Sequence, residues 1–277
     1  MKKHVTSILF AVIFLVGIAL ILYPTISDYV NSLHQSQAIS AYAESVEKLD
    51  PNQYEAILRK AQEYNTSLVT RPKNFKLTED EIDVYAGVLN VDGKGVMGYI
   101  EIPSIQVSLP IYHGTSDSVL QTAIGHLEWT SLPVGGESSH CVLSGHRGLP
   151  SAKLFTNLDK LVVGDIFTLR VLDEVLTYEV DQILIVEPKD VDDLQIVKGQ
   201  DYCTLVTCTP YGVNTHRLLV RGHRIENPEE ANIAFITADA TQINPILVAT
   251  MLAIPVLILL IISLLIPRRR KSKEDDS

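Results

Sequence analysis

Two uncharged apolar stretches, one near each end of the chain, constrain what it can become more than any other feature. Residues 5–23 contain no charged side chain. As a helix rising ~1.5 Å per residue they reach ~28 Å, close to the ~30 Å hydrocarbon core of a bilayer. Residues 246–266 form a second such stretch, interrupted by Pro255, which membrane helices tolerate at a kink. Core helices of soluble proteins seldom go so long without a charge. Lys2 and Lys3 also suit a signal peptide, but "YPTISDYV" stands where a small-residue cleavage site belongs, and Ala41-Tyr42-Ala43 lies too far downstream. The first stretch therefore reads as an uncleaved anchor. "RRRKSK" follows the second, and basic residues stay on the cytoplasmic side, so both termini are expected in the cytoplasm and residues 24–243 outside it.

That topology lets charge be counted by compartment. Setting aside Lys2, Lys3, Arg268, Arg269, Arg270, Lys271 and Lys273, with Glu274, Asp275 and Asp276, reduces 23 basic and 33 acidic residues to 16 and 30, a net of −14 outside. Nucleic acid is excluded as a partner, because binding it needs a basic footprint. The chain has three cysteines, so at least one is unpaired within it. On one extended strand Cys203 and Cys208 lie roughly 16 Å apart on opposite faces, too far for a disulfide. Cys141 reaches either only through a tertiary contact.

Residues 24–68 read as a helical stalk. Asp50-Pro51-Asn52-Gln53 supplies an N-cap, a first-turn proline and a capping-box glutamine, and Tyr54, Ile57, Leu58, Ala61 and Tyr64 then recur at helical spacing. Residues 70–83 are polar, with Pro72 and clustered acids, and read as an exposed loop. Beyond them the period changes to two. "GYIEIPSIQVSLPIYH", "HCVLSGHRG", "IFTLRVLDEVLTYEVDQILIV", "YCTLVTC" and "HRLLVRGHRI" are strands rich in β-branched residues, with a hairpin turning near Asp173-Glu174 and a short helical piece near "SAKLFTNLDKL". The density of strands predicts a mainly β fold, a closed or nearly closed β-barrel over residues 95–226.

The chemistry concentrates in "TLVTCTPYGVNTHRLLVRGHR", residues 204–224. Alternation puts Tyr202, Thr204, Val206 and Cys208 on one strand face, and Cys203, Leu205 and Thr207 on the other. Cys208 ends its strand before a turn containing Pro210, Gly212 and Asn214, and Arg217 begins the next, so a thiol and a guanidinium share one rim. A thiolate attacks amide carbonyls, and a permanently charged arginine holds the resulting oxyanion or the substrate carbonyl. Protonating the departing amine near neutral pH suits histidine. His146 leads by its strand-to-loop position in "LSGHRG", with His140 and His216 as the other candidates. His140, Cys141, His146, Cys203, Cys208 and His216 are metal-ligand types, but no C-x-x-C or H-x-x-x-H spacing joins them, so neither a metal nor a cofactor is expected.

These segments resemble the sortases, membrane-anchored cysteine transpeptidases of Gram-positive surfaces. The family's threonine-leucine-x-threonine-cysteine signature falls on Thr204, Leu205, Thr207 and Cys208, its catalytic histidine on His146 in "SGHRG", and its arginine on Arg217 in "RLLVRG". "GVMGYIEIPSI", "CTPYGVNTHRLLVRGHR", the stalk and the second apolar stretch are similar to the class C, pilin-polymerising sortases. That resemblance implies a sortase-type closed β-barrel with short helices, preceded by a helical stalk and flanked by two transmembrane helices. It also implies cleavage of a Leu-Pro-x-Thr-Gly-like sorting signal through a thioester, then joining to a pilin lysine. The partners implied are pilin subunits or other surface proteins with such signals, and the membrane. A wall-anchoring sortase that uses a peptidoglycan amine and a non-catalytic membrane scaffold are the alternatives. Class C members commonly carry an Asp-Pro-aromatic lid anchor. No such tripeptide occurs in residues 70–83, so either a lid there uses other contacts, Phe75 among them, or the site is less occluded. The expected order is an N-terminal segment and membrane helix (1–23), stalk (24–69), lid-like loop and connector (70–94), catalytic barrel (95–226), linker (227–245), membrane helix (246–266) and basic tail (267–277).

Overall fold

The computed structural model describes residues 2–71 and 76–228. Phe75, most of the linker, the second apolar stretch and the basic tail lie outside the described residues. The described residues divide into two units, those up to Thr25 in the first and those from Ile26 onward in the second. Helix α1 (Lys2–Glu47) is continuous through Pro24. Its apolar part is long enough to cross a membrane by length and composition.

Within the second unit, the later turns of α1 are tied to the β structure by polar contacts. The Tyr42 side chain is buried, and its hydroxyl donates to the Met97 carbonyl at 2.8 Å while accepting from the Leu172 N–H at 2.7 Å. Helix α2 (Pro51–Leu68) starts as its sequence predicts: Asp50 accepts from the Gln53 N–H at 2.9 Å, and the Gln53 side chain accepts from the Asp50 N–H at 3.1 Å. Asn65 joins this helix to the β structure by pairing with both the N–H and the C=O of Leu132, at 2.7 and 3.1 Å.

Residues 79–87, partly assigned to a loop from sequence, instead form helix α3 (Glu79–Gly87). Thr78 caps it and Glu81 closes a second capping box, so the acidic cluster occupies a first helical turn, where the helix dipole favours negative charge. The helix buries Tyr85, whose hydroxyl bonds His126 Nδ1 at 2.9 Å.

Eight strands follow: β1 (Val96–Ile102), β2 (Val107–His113), β3 (Ile124–His126), β4 (Ser139–Ser144), β5 (Ile166–Val171), β6 (Glu174–Val186), β7 (Asp201–Thr209) and β8 (His216–Ile225). They close into a barrel in the order β1-β2-β3-β4-β7-β8-β6-β5. The closed, mainly β architecture expected from sequence is what the chain adopts. The β5–β6 hairpin turns at Leu172 and Asp173. The helical piece expected near residues 151–161 is only a short 3-10 turn, Leu158–Lys160.

Two pairings, β2 with β3 and β4 with β7, are parallel, and the others are antiparallel. Ile100, Ile111, Leu143, Phe167, Leu205 and Val220 belong to the main core, all fully buried. Each such side chain contributes about 1.5–3 kcal/mol. A second cluster, Val142, Val206 and Leu219 with Leu194, forms on the opposite face of β4, β7 and β8.

Candidate active site

Alternation along β7 decides which side chains leave the core. Cys203 and Leu205 point into the main cluster, whereas Val206 belongs to the outer one. Cys208 continues the outer row, half-buried, one residue before the strand ends. Its register partner on β8 is Arg217. Directly opposed residues of an antiparallel pair project to the same face, so sulfur and guanidinium share the outer rim. Arg217 Nη1 donates to the His216 carbonyl at 3.1 Å and the Asn214 carbonyl at 3.4 Å, which braces the cation on its own turn.

His146 reaches this rim through the parallel β4–β7 pairing. Ser144 lies opposite Val206, and the Gly145 N–H extends the ladder by donating to the Val206 carbonyl at 3.0 Å. The Thr207 hydroxyl donates to the Gly145 carbonyl at 2.8 Å. His146 follows two residues past the end of β4, at the same end of the parallel β4–β7 pair as Cys208. Gly145 must be small here, since a Cβ would lie 2.7 Å from the Phe155 ring and 2.9 Å from Ile124. The three residues singled out from sequence thus sit at one end of three neighbouring strands.

The other histidines have different occupations. His140 is 1% exposed, and its ring bonds the Gln195 carbonyl at 2.9 Å and the Thr204 hydroxyl at 2.7 Å. Burial drives its pKa down to about 4. A sealed, doubly bonded imidazole has no access to a peptide. His216 is exposed at the strand start, with Nδ1 beside the Thr215 hydroxyl at 2.9 Å. Among the described residues no group of three or more His, Cys, Asp or Glu side chains is arranged to hold a metal.

All three cysteines are free. Cys141 and Cys203 are buried register partners on β4 and β7, a contact that no local pattern in the sequence records. Arg147, Asp159 and Tyr211, which meet near the end of β7, carry no sequence pattern that links them. Arg147 lies inside the quoted "SGHRG", but nothing in its spacing points to Asp159.

With this geometry in place, comparison with known proteins is informative. A family model described as the sortase domain matches residues 100–225. The crystal structure of sortase C1 from Streptococcus agalactiae is 57% identical and superposes with a TM-score of 0.68, covering 69% of this chain and 100% of that one. The chain belongs to the sortase family. Members of that family are cysteine transpeptidases. This sortase is also 44% identical to Clostridium perfringens sortase C, solved with the C-terminal cell wall sorting motif, with a TM-score of 0.62 over 69% of this chain and 100% of that one. Among curated relatives, sortase D of Bacillus subtilis (strain 168) is 30% identical over 131 residues, 46% of this chain. The match spans only 63% of that relative's length. Its structural neighbours include class C sortases.

Proposed function

We propose that the chain is a membrane-anchored transpeptidase of the pilin-polymerising type, with Cys208, His146 and Arg217 as its catalytic residues. The Cys208 sulfur attacks the threonine carbonyl carbon of a Leu-Pro-x-Thr-Gly-like sorting signal. Arg217 holds the oxyanion or the neighbouring backbone carbonyl, and His146 gives its proton to the departing glycine amine as the C–N bond breaks. A thioester is left on Cys208. A lysine amine of the next pilin subunit then attacks the same carbonyl, His146 takes its proton, and the sulfur leaves as an isopeptide bond forms.

The observation that carries this reading is the opposition of Cys208 and Arg217 in register, with β4, which leads to His146, pairing parallel to β7 and ending at the same side. The Clostridium perfringens neighbour, solved with the C-terminal cell wall sorting motif, supports the donor substrate, and the likeness to sortase C structures, one of them from a pilus island, supports a pilin acceptor. The apolar part of α1 suits an anchor. On this reading the second apolar stretch is a second span, both termini are cytoplasmic and the barrel lies outside.

Incubating the full-length protein with a purified pilin subunit tests the proposal. Covalent ladders joined by threonine–lysine isopeptide bonds, identified by mass spectrometry and lost in Cys208→Ala, are expected. Attachment to peptidoglycan amines alone points to a wall-anchoring enzyme. No thioester and no product points to a scaffold.

A further inference from the structure

Arg147 directly follows His146, yet its side chain is only 10% exposed. Nη2 donates to the Asp159 carboxylate in a short ion pair, and Nη1 reaches the Thr209 hydroxyl at 3.4 Å. The guanidinium carbon lies 5.8 Å from the centre of the Tyr211 ring. The buried Nε finds no hydrogen-bond partner among the described residues. Leaving a buried donor unpaired lowers stability, and desolvating a cation adds to that. Selection for stability alone would not place an arginine this way.

Its contacts share a location instead. Thr209 is the residue after Cys208, Tyr211 stands in the turn leading to Arg217, and Asp159 lies in the 3-10 turn beyond the His146 loop. That loop is itself pinned: the His146 carbonyl accepts from the Phe155 N–H at 3.1 Å, and the Gly148 N–H donates to the Thr156 hydroxyl at 3.1 Å. Gly148 has φ +76°, and a Cβ there would come within 2.9 Å of the Tyr211 ring. One guanidinium therefore touches the segments that carry the proposed acid–base group, the nucleophile and the turn to the oxyanion donor.

We infer that Arg147 is a positioning residue: anchored by Asp159, its planar fork clamps the strand end bearing His146 to the end of β7 bearing Cys208. The effect on turnover rests on the catalytic assignment above; the clamp itself does not. A lysine keeps the charge beside Asp159 but cannot reach Thr209 and stack on Tyr211 together.

The test uses full-length protein in detergent micelles, with Arg147→Ala, Arg147→Lys and Asp159→Asn. One readout is cleavage of a quenched fluorogenic Leu-Pro-Glu-Thr-Gly peptide. The other is the ring NMR signal of His146 in histidine-labelled protein, assigned with His146→Ala. For Arg147→Ala the expected result is a kcat about 10- to 100-fold lower, with KM held within about twofold. Arg147→Lys should recover part of that loss, Asp159→Asn should follow in the same direction, and the His146 signal should shift or broaden in Arg147→Ala and Asp159→Asn. A lower melting temperature with kcat and the His146 signal unchanged overturns the clamp. Should Arg147→Ala fail to fold, the other two variants decide the matter through the same readouts. Failure of the wild type to cut the peptide counts against the catalytic assignment, while the His146 signal still decides the clamp.

Discussion

Cys208 and Arg217 oppose each other across the β7–β8 ladder at the last outward-facing position of β7. The thiol and the guanidinium are thus held by backbone pairing rather than by a flexible loop. Arg217→Lys keeps the charge but loses the fork that binds two oxygens in a plane. Turnover of a sorting-signal peptide should fall by about 10²–10³-fold, the scale of losing an oxyanion donor. Near-normal turnover, measured as kcat/KM, removes Arg217 from the proposed mechanism.

Gly145→Ala puts a methyl group 2.7 Å from the Phe155 ring and 2.9 Å from Ile124, one residue before His146. Overpacking of this kind costs about 1–3 kcal/mol. A lower melting temperature is expected, together with a fall in turnover larger than the unfolded fraction explains. Unchanged melting and turnover would mean that the strand end yields freely.

Tyr42→Phe leaves the Leu172 N–H and the Met97 carbonyl without the hydroxyl that serves both. With Tyr42 buried, the loss should be about 1–3 kcal/mol. Thermal melting measures it. Because the substitution is distant in the fold from Cys208, turnover at low temperature should stay at the wild-type level.

His140 gives the stability of the fold a pH dependence. Burial lowers its pKa from 6.5 to about 4, so between those values the unfolded chain takes up a proton that the folded chain refuses. The contribution is full above about pH 6.5 and is lost as pH falls toward 4, in all about 3 kcal/mol. Melting curves over this window should show a steeper decline for the wild type than for His140→Gln. Equal slopes would contradict a neutral, sealed imidazole.

The readable parts of this molecule were those set by short-range pattern. The β7–β8 hairpin follows from alternation up to Cys208 and the turn residues Pro210, Gly212 and Asn214. Asp50 and Gln53 announce the start of α2. The same capping signal is present at Thr78 and Glu81, but the surrounding acids resemble a solvated loop, and the burial of Tyr85 that accompanies the helix has no local signature. Which of the candidate histidines is sealed in the fold was not readable from the strands alone. His140 and His146 share β4 and its exit, and what separates them is tertiary: His140 is sealed against Gln195 and Thr204, more than fifty positions away, whereas His146 lies past the strand end and is half-buried. Sequence resemblance, not strand pattern, pointed to His146.

Two of the three sulfur atoms are sealed inside the barrel while the third stands at its rim. An electrophilic warhead or a maleimide dye added to the folded chain therefore meets a single address. Covalent inhibitors and site-specific labels could be developed on the native sequence, with no cysteine first engineered away.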